Sequence, residues 1–166
     1  MTKTIYLAGG CYWGMEHFLG LIRGVMDTEV GFANGNTDSP TYEEVYTDST
    51  GYAETVKVEY DSAVLPLVDL VGLYFKAIDP LSLNQQGEDQ GSRYRTGIYF
   101  TDQADEPVIR KVYDEVQQRY NAPFAVELLP LRNFYPADEY HQDYLDKNPE
   151  GYCHLTKEIF DIARRY

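Results

Sequence analysis

Residues 55–60 alternate without interruption: Val56, Val58 and Tyr60 share one face, and Thr55, Lys57 and Glu59 share the other. Period-two patterning of this kind makes a strand with one buried and one wetter face. Such a strand needs neighbours in a sheet and a second layer to cover its apolar side. The flanking sequence supplies both. Thr4–Leu7 reads as a short strand running into Gly9-Gly10, and Tyr12–Ile22 carries Phe18, Leu19, Leu21 and Ile22 at helical spacing before Arg23-Gly24. Val25–Phe32 reads as a second strand, closed by the Asn34-Gly35 turn signal.

Ser39-Pro40-Thr41 opens a short helix through Tyr46, and Pro66–Ile78 is a helix stopped at Asp79-Pro80. Ser82–Ser92 is polar and glycine-bearing, a long loop of the kind that often carries function. Thr96–Phe100 is a strand, Gln103–Tyr120 a helix, and Ala125–Leu129 an edge-like strand. Pro136–Lys147 reads as a polar helix, broken by Asn148-Pro149-Glu150-Gly151, and Thr156–Arg165 as a final amphipathic turn or two. The expected class is α+β: a two-layer sandwich around a mixed, largely antiparallel sheet with a ferredoxin-like core, followed by a long irregular C-terminal segment. At 166 residues, with no linker or repeat, one domain spanning 1–166 is expected.

The formal net charge of −13 repels phosphate backbones, and no Lys/Arg cluster offsets it, so nucleic acid is not an expected partner. Ile5–Ala8 is far too short for the ~7–15-residue apolar region of a secretory signal, and no stretch approaches a membrane span. A cytoplasmic monomer without membrane contact is the expectation. The 16 tyrosines fit half-buried packing or a hydroxyl-lined pocket.

Only Cys11 and Cys153 are present, widely separated, with no CxxC pair and no zinc-ligand spacing. Cys11 stands where a strand hands over to a helix, inside Gly9-Gly10-Cys11-Tyr12-Trp13-Gly14. Glycines allow a sharp turn and close approach of a ligand. A helix N-terminus lowers a thiol pKa and favours thiolate. Two aromatics after the thiol could wall an apolar slot. The residues alone leave open a second reading, in which Cys11 is a small buried hydrophobe and Trp13 is core.

Gly10-Cys11-Tyr12-Trp13-Gly14 resembles the active-site signature of the A-type peptide methionine sulfoxide reductases, with Tyr12 where Phe is usual. Further blocks follow in that family's order. Gly31-Phe32-Ala33-Asn34-Gly35 resembles its glycine turn, with Phe32 where Tyr and Asn34 where Gly are common. Pro40–Val45 and Thr50-Gly51-Tyr52-Ala53-Glu54 match the next block, with Tyr52 where His is usual. Asn84–Arg95 matches a third, with Gln85 for a common Arg, and Phe134–Cys153 resembles the C-terminal segment.

The resemblance implies that Cys11 attacks the sulfur of a methionine S-sulfoxide, free or in a peptide, giving methionine and a sulfenic acid. It assigns Glu54 as proton donor, with burial raising its pKa. Tyr42 and Tyr94 would hydrogen-bond the substrate oxygen, and Asp89 would orient water or the substrate amide. Tyr12 and Trp13 would hold the methionine methyl group. Cys153 would form a disulfide with Cys11, reduced in turn by thioredoxin or another dithiol, with no bound cofactor and no metal. The chain departs from some relatives in ending with Leu155–Tyr166 rather than a glycine-rich tail with another cysteine. His17, His141 and His154 are expected at the surface or in packing. Rival readings are a different cysteine enzyme (a thiol peroxidase or an amidohydrolase, the latter wanting a histidine base) and a non-catalytic module gripping methionine-bearing peptides. A metal site from Cys11, Cys153, His17 and His154 has no motif spacing behind it.

Overall fold

The computed structural model describes residues 1–166. The elements run β1 (Thr2–Ala8), α1 (Tyr12–Gly20), β2 (Val25–Ala33), α2 (Tyr42–Tyr46), β3 (Ala53–Asp61), α3 (Leu67–Ala77) and a small hairpin of β4 (Gln85–Gln86) and β5 (Asp89–Gln90). Then follow β6 (Gly97–Phe100), α4 (Asp105–Gln117), β7 (Glu127–Pro130), β8 (Phe134–Pro136), α5 (Tyr144–Lys147) and α6 (Lys157–Arg164).

The main sheet has the order β7-β6-β1-β3-β2-β8. Every neighbouring pair is antiparallel except β6 and β7. Because β1 and β2 both oppose β3, α1 joins two parallel strands across the one between them. By the same logic α3 joins β3 to β6 across β1, and both connections are split βαβ units. The chain is therefore α+β with a mixed, largely antiparallel sheet.

Register follows the alternation of β3. Val58 lies opposite Ile5, and Val56 opposite both Leu7 and Val30, so these residues stack on one face. That face is covered by α1 and α3, with Phe18, Leu19, Leu70, Val71 and Tyr74 fully buried against it. Each such side chain contributes about 1.5–3 kcal/mol when buried. The opposite face carries a smaller cluster of Ala8, Ala33, Ala53 and Tyr99. Glu54, two residues before Val56, falls on the helix side of the sheet, opposite Phe32.

Two segments differ from expectation. Pro136–Lys147 is not one helix: β8, a 3-10 turn at Glu139–His141 and the single-turn α5 replace it. The Gln142 side chain accepts from Val30 N at 2.8 Å and donates to Val30 O at 2.9 Å, extending the β2 ladder past β8. Asp143 adopts φ 52°, and its amide donates to Glu16 Oε1 at 2.8 Å. These partners on β2 and α1 satisfy backbone and amide groups that a continuous helix would have used. The Ser82–Ser92 loop holds the β4–β5 hairpin, turning at Gly87 with φ 61°.

Candidate active site

β1 ends one turn before Cys11, and the register of β1 on β3 sets Glu54 beside that turn. Gly10 takes φ 76°, a conformation that favours glycine, and its amide donates to the Tyr94 carbonyl at 3.2 Å. Cys11 is then the N-cap of α1, whose first residues are Tyr12 and Trp13. The Tyr12 amide is one of the helix's free N–H groups, and it donates to Glu54 Oε1 at 3.1 Å. Glu54 is 1% exposed, and its second oxygen has no partner. Burial, the largest influence, pushes its carboxyl up to about 8, against the opposing pull of the Tyr12 amide and Arg93.

Cys11 is 7% exposed. The sequence led to a thiol poised as thiolate, and the balance of forces goes the other way. Burial and then the Glu54 charge hold its pKa well above the ordinary value, while the Trp13 backbone N–H pulls it down. The dipole effect operates, and desolvation outweighs it. Cys11 and Glu54 therefore both carry protons near neutrality.

Three tyrosines surround this pair. Tyr42 opens α2, whose N-terminus is fixed by a capping box: Glu44 N donates to Thr41 Oγ1 at 3.1 Å and Thr41 N to Glu44 Oε1 at 2.9 Å. Tyr94 closes the 3-10 turn Ser92–Tyr94, with Arg93 over its ring at 4.3 Å. Tyr12 is fully buried. Desolvation, followed by the Glu54 charge, raises all three phenols, Tyr42 to about 12, so each stays a neutral donor.

Trp13 forms the outer wall. Its ring stacks on Tyr144 at 3.8 Å between centroids, and its Nε1 donates to His141 Nδ1 at 3.1 Å. His141 in turn stacks on Tyr42 at 4.6 Å. Asp89, on the hairpin, accepts the Tyr152 hydroxyl at 2.7 Å. Cys153 follows Tyr152 directly, and both cysteines are free thiols. A Cβ built on Gly14 would stand 3.0 Å from Cys153 Sγ. Thus Cys11, Tyr12, Trp13, Tyr42, Glu54, Asp89, Tyr94 and Cys153 gather at one end of the sheet. No group of His, Cys, Asp and Glu has the arrangement of a metal site.

Three residues of this neighbourhood were not among the expected site residues, the two histidines having been expected at the surface or in packing. His141 and Tyr144 lie in the broken C-terminal segment, and His154 packs beside Asp89 with a side chain 3% exposed. Their signal was present only as adjacency: His141 lies within Glu139–Gln142 and His154 next to Cys153. His17 behaves as expected, pairing with Asp146 at 3.1 Å and meeting the Phe160 ring edge-on.

The model of the family "Peptide methionine sulfoxide reductase" matches residues 3–164. The chain belongs to the peptide methionine sulfoxide reductase family. A family member from Lachnoclostridium phytofermentans, peptide methionine sulfoxide reductase MsrA, is 54% identical over 164 residues, covering 99% of each chain. The reduced form of Mxr1 from Saccharomyces cerevisiae superposes with a TM-score of 0.88 at 38% identity, covering 93% of this chain and 91% of that one. Mxr1 in complex with Trx2 superposes with a TM-score of 0.62 at 28% identity, covering 86% of this chain and 84% of that one. Members of this family are oxidoreductases, and this chain is one of them.

Three of the departures from the reductase pattern have structural accounts. Tyr52 is buried under Gly35, and its hydroxyl donates to the Thr37 carbonyl, bracing the turn after β2. Asn34 keeps a left-handed φ of 55°, which Asn tolerates, and its side chain bonds Pro130 O and Arg132 N at 3.2 and 2.7 Å. The Gln85 side chain donates to Gly87 O at 3.0 Å, inside the hairpin. The Tyr12 hydroxyl is buried with no partner.

Proposed function

We propose that this reductase converts the S-epimer of methionine sulfoxide, free or within peptides and proteins, to methionine, with Cys11 as nucleophile and Glu54 as proton donor. The observation that carries the reading is the buried, protonated Glu54, tied to the amide that follows Cys11. A sulfoxide oxygen needs a proton as its bond to sulfur weakens, and a carboxyl held neutral at pH 7 can give one. Cys11 attacks the substrate sulfur, Glu54 delivers its proton to the oxygen, and the thiol proton restores Glu54. The oxygen passes to Cys11 as sulfenic acid and methionine leaves with its sulfur reduced. Tyr42 and Tyr94 donate hydrogen bonds to the oxygen as charge develops on it. Trp13 and Tyr12 receive the methyl group, and Asp89 aligns the substrate amide.

Cys153 then attacks the Cys11 sulfenic sulfur, forming the Cys11–Cys153 disulfide and releasing water. Thioredoxin, or another dithiol, reduces that disulfide by exchange; the complex of Mxr1 with Trx2 supports this choice of donor. No bound cofactor takes part, and the enzyme acts as a monomer in the reducing cytoplasm. The test is dithiol-dependent turnover of a blocked methionine sulfoxide by Cys11→Ser. Complete loss is expected, and turnover at the wild-type rate would return the site to a rival reading.

A further inference from the structure

His154 is the buried group near the two thiols that the reaction scheme leaves unused. Its side chain is 3% exposed, and neither ring nitrogen has a hydrogen-bond partner. A buried imidazole with both nitrogens unpaired is costly, so its retention in the site needs a cause. It is fitted closely to the Cys11 turn. A Cβ on Gly10 would meet His154 Nε2 at 2.7 Å, and one on Gly14 would meet His154 Nδ1 at 3.1 Å beside Cys153 Sγ at 3.0 Å. The His154 ring therefore lies over the bare backbone on both sides of Cys11, at Gly10 and at Gly14, and the Cys153 sulfur joins it at Gly14. Asp89 stands behind the ring, with Oδ2 3.9 Å from Nδ1 and likewise unpaired.

We propose that His154 is the proton carrier of the disulfide-forming step: it takes the Cys153 thiol proton and hands it to the oxygen leaving Cys11. This rests on the reduction scheme above. Cys153 Sγ forms the bond to Cys11 Sγ, the Cys11 S–O bond breaks with its electron pair going to oxygen, and that oxygen departs as water. Electrons balance within the pair of sulfurs, with no outside reagent. The chemistry needs an acceptor, because burial raises the Cys153 pKa and little thiolate exists unaided. Burial also lowers the His154 pKa, against the Asp89 charge and the pull of the Gly9 backbone, so the ring is a neutral base. The titratable groups around it are Asp89 on the hairpin, Cys11 at the start of α1, and Cys153 on its own segment. Asp89 steadies the imidazolium that forms, the part a carboxylate plays behind a catalytic histidine.

The experiment follows two signals after mixing the reduced, full-length enzyme with blocked methionine S-sulfoxide, without external dithiol: methionine released, and free thiols lost. In His154→Gln the methionine burst should match the wild type, since the reduction step does not use the ring. One thiol, that of Cys11, should go with the burst, while loss of the second, that of Cys153, should slow about a hundredfold, within the range of a positioned acid–base group, and a sulfenic-acid trap should capture Cys11. The wild-type rate of thiol loss should fall on acidification as the ring protonates, and that acid limb should vanish in His154→Gln. Thiol loss at the wild-type rate with an unchanged pH profile would overturn the proposal, as would loss of the burst together with thiol loss. If the variant does not fold, the wild-type profile alone decides, and a disulfide step without an acid limb overturns it. A wild-type enzyme that releases no methionine overturns the reduction scheme itself, and this step with it.

Discussion

The amide of Tyr12 donates to Glu54 Oε1 at 3.1 Å, so one hydrogen bond ties the first residue of α1 to the second residue of β3. It links the helix terminus that carries Cys11, the proposed nucleophile, to the carboxyl expected to serve it as acid. The bond pulls the Glu54 pKa down, and burial overrides it. Glu54 then leaves Cys11 less acidic whenever it ionises. The two protons are thus coupled, and that coupling gives the first expectation.

Glu54 loses its proton as pH rises through about 8, and its charge then also disfavours ionisation of Cys11. Single-turnover reduction by the wild type should decline across that range. Glu54→Gln keeps an acceptor for the Tyr12 amide, so folding should survive. Its rate should fall by about 10²–10⁴-fold and no longer decline near pH 8. A stopped-flow pH series on both proteins checks this.

Tyr42→Phe and Tyr94→Phe each remove one hydroxyl while keeping the ring stacked where it is. Each should lower kcat by about a hundredfold, as when one oxyanion donor is lost. The double variant should lose less than the product of the two, because the donors serve one oxygen. Equal kcat in either single variant would place that hydroxyl outside the reaction.

The sheet side of the site was legible because its logic is local. Strict alternation from Val56 to Tyr60, carried back two residues, puts Glu54 on the helix face, and the glycines around Cys11 mark the turn into α1. The C-terminal side was not legible, because its backbone is held by distant partners. Asp143 finds Glu16 on α1 and Gln142 finds Val30 on β2, and neither pairing leaves a periodic trace. His141 and Tyr144 reach Trp13 only through that broken path. The thiol's protonation was misjudged for a related reason: the helix dipole is visible in the order of residues, whereas the depth of burial that outweighs it depends on the whole fold.

Trp13 holds its place by the Tyr144 stack and the bond to His141. Trp13→Ala should open the methyl slot and raise KM, lowering kcat/KM by tenfold or more, a loss of about 1.4 kcal/mol in transition-state binding. Trp13→Phe should recover part of that loss through stacking while lacking the donor to His141. Steady-state kinetics on both variants separates the two contributions.

Glu16 accepts from Thr28 Oγ1 at 2.9 Å and from Asp143 N at 2.8 Å. Burial foremost raises its pKa from the ordinary 4.5 to about 7. A carboxyl with a raised folded value favours the fold fully below its unfolded value, and that contribution is lost as pH rises through the folded one. Stability in urea should therefore drop between about pH 4.5 and 7 in the wild type, and drop less in Glu16→Gln.

In the proposed cycle Cys11 reduces a sulfoxide once and Cys153 closes the loop. Single-turnover reduction of blocked methionine sulfoxide, given as separate S and R epimers without external reductant, tests it most directly. About one methionine per enzyme is expected from the S epimer alone, with both thiols lost together. Cys153→Ser should give the same single methionine but no turnover with thioredoxin, and Cys11→Ser should give none. No methionine from either epimer, with Cys11 shown to be reduced, or full thioredoxin-dependent turnover by Cys153→Ser, would contradict the proposed cycle.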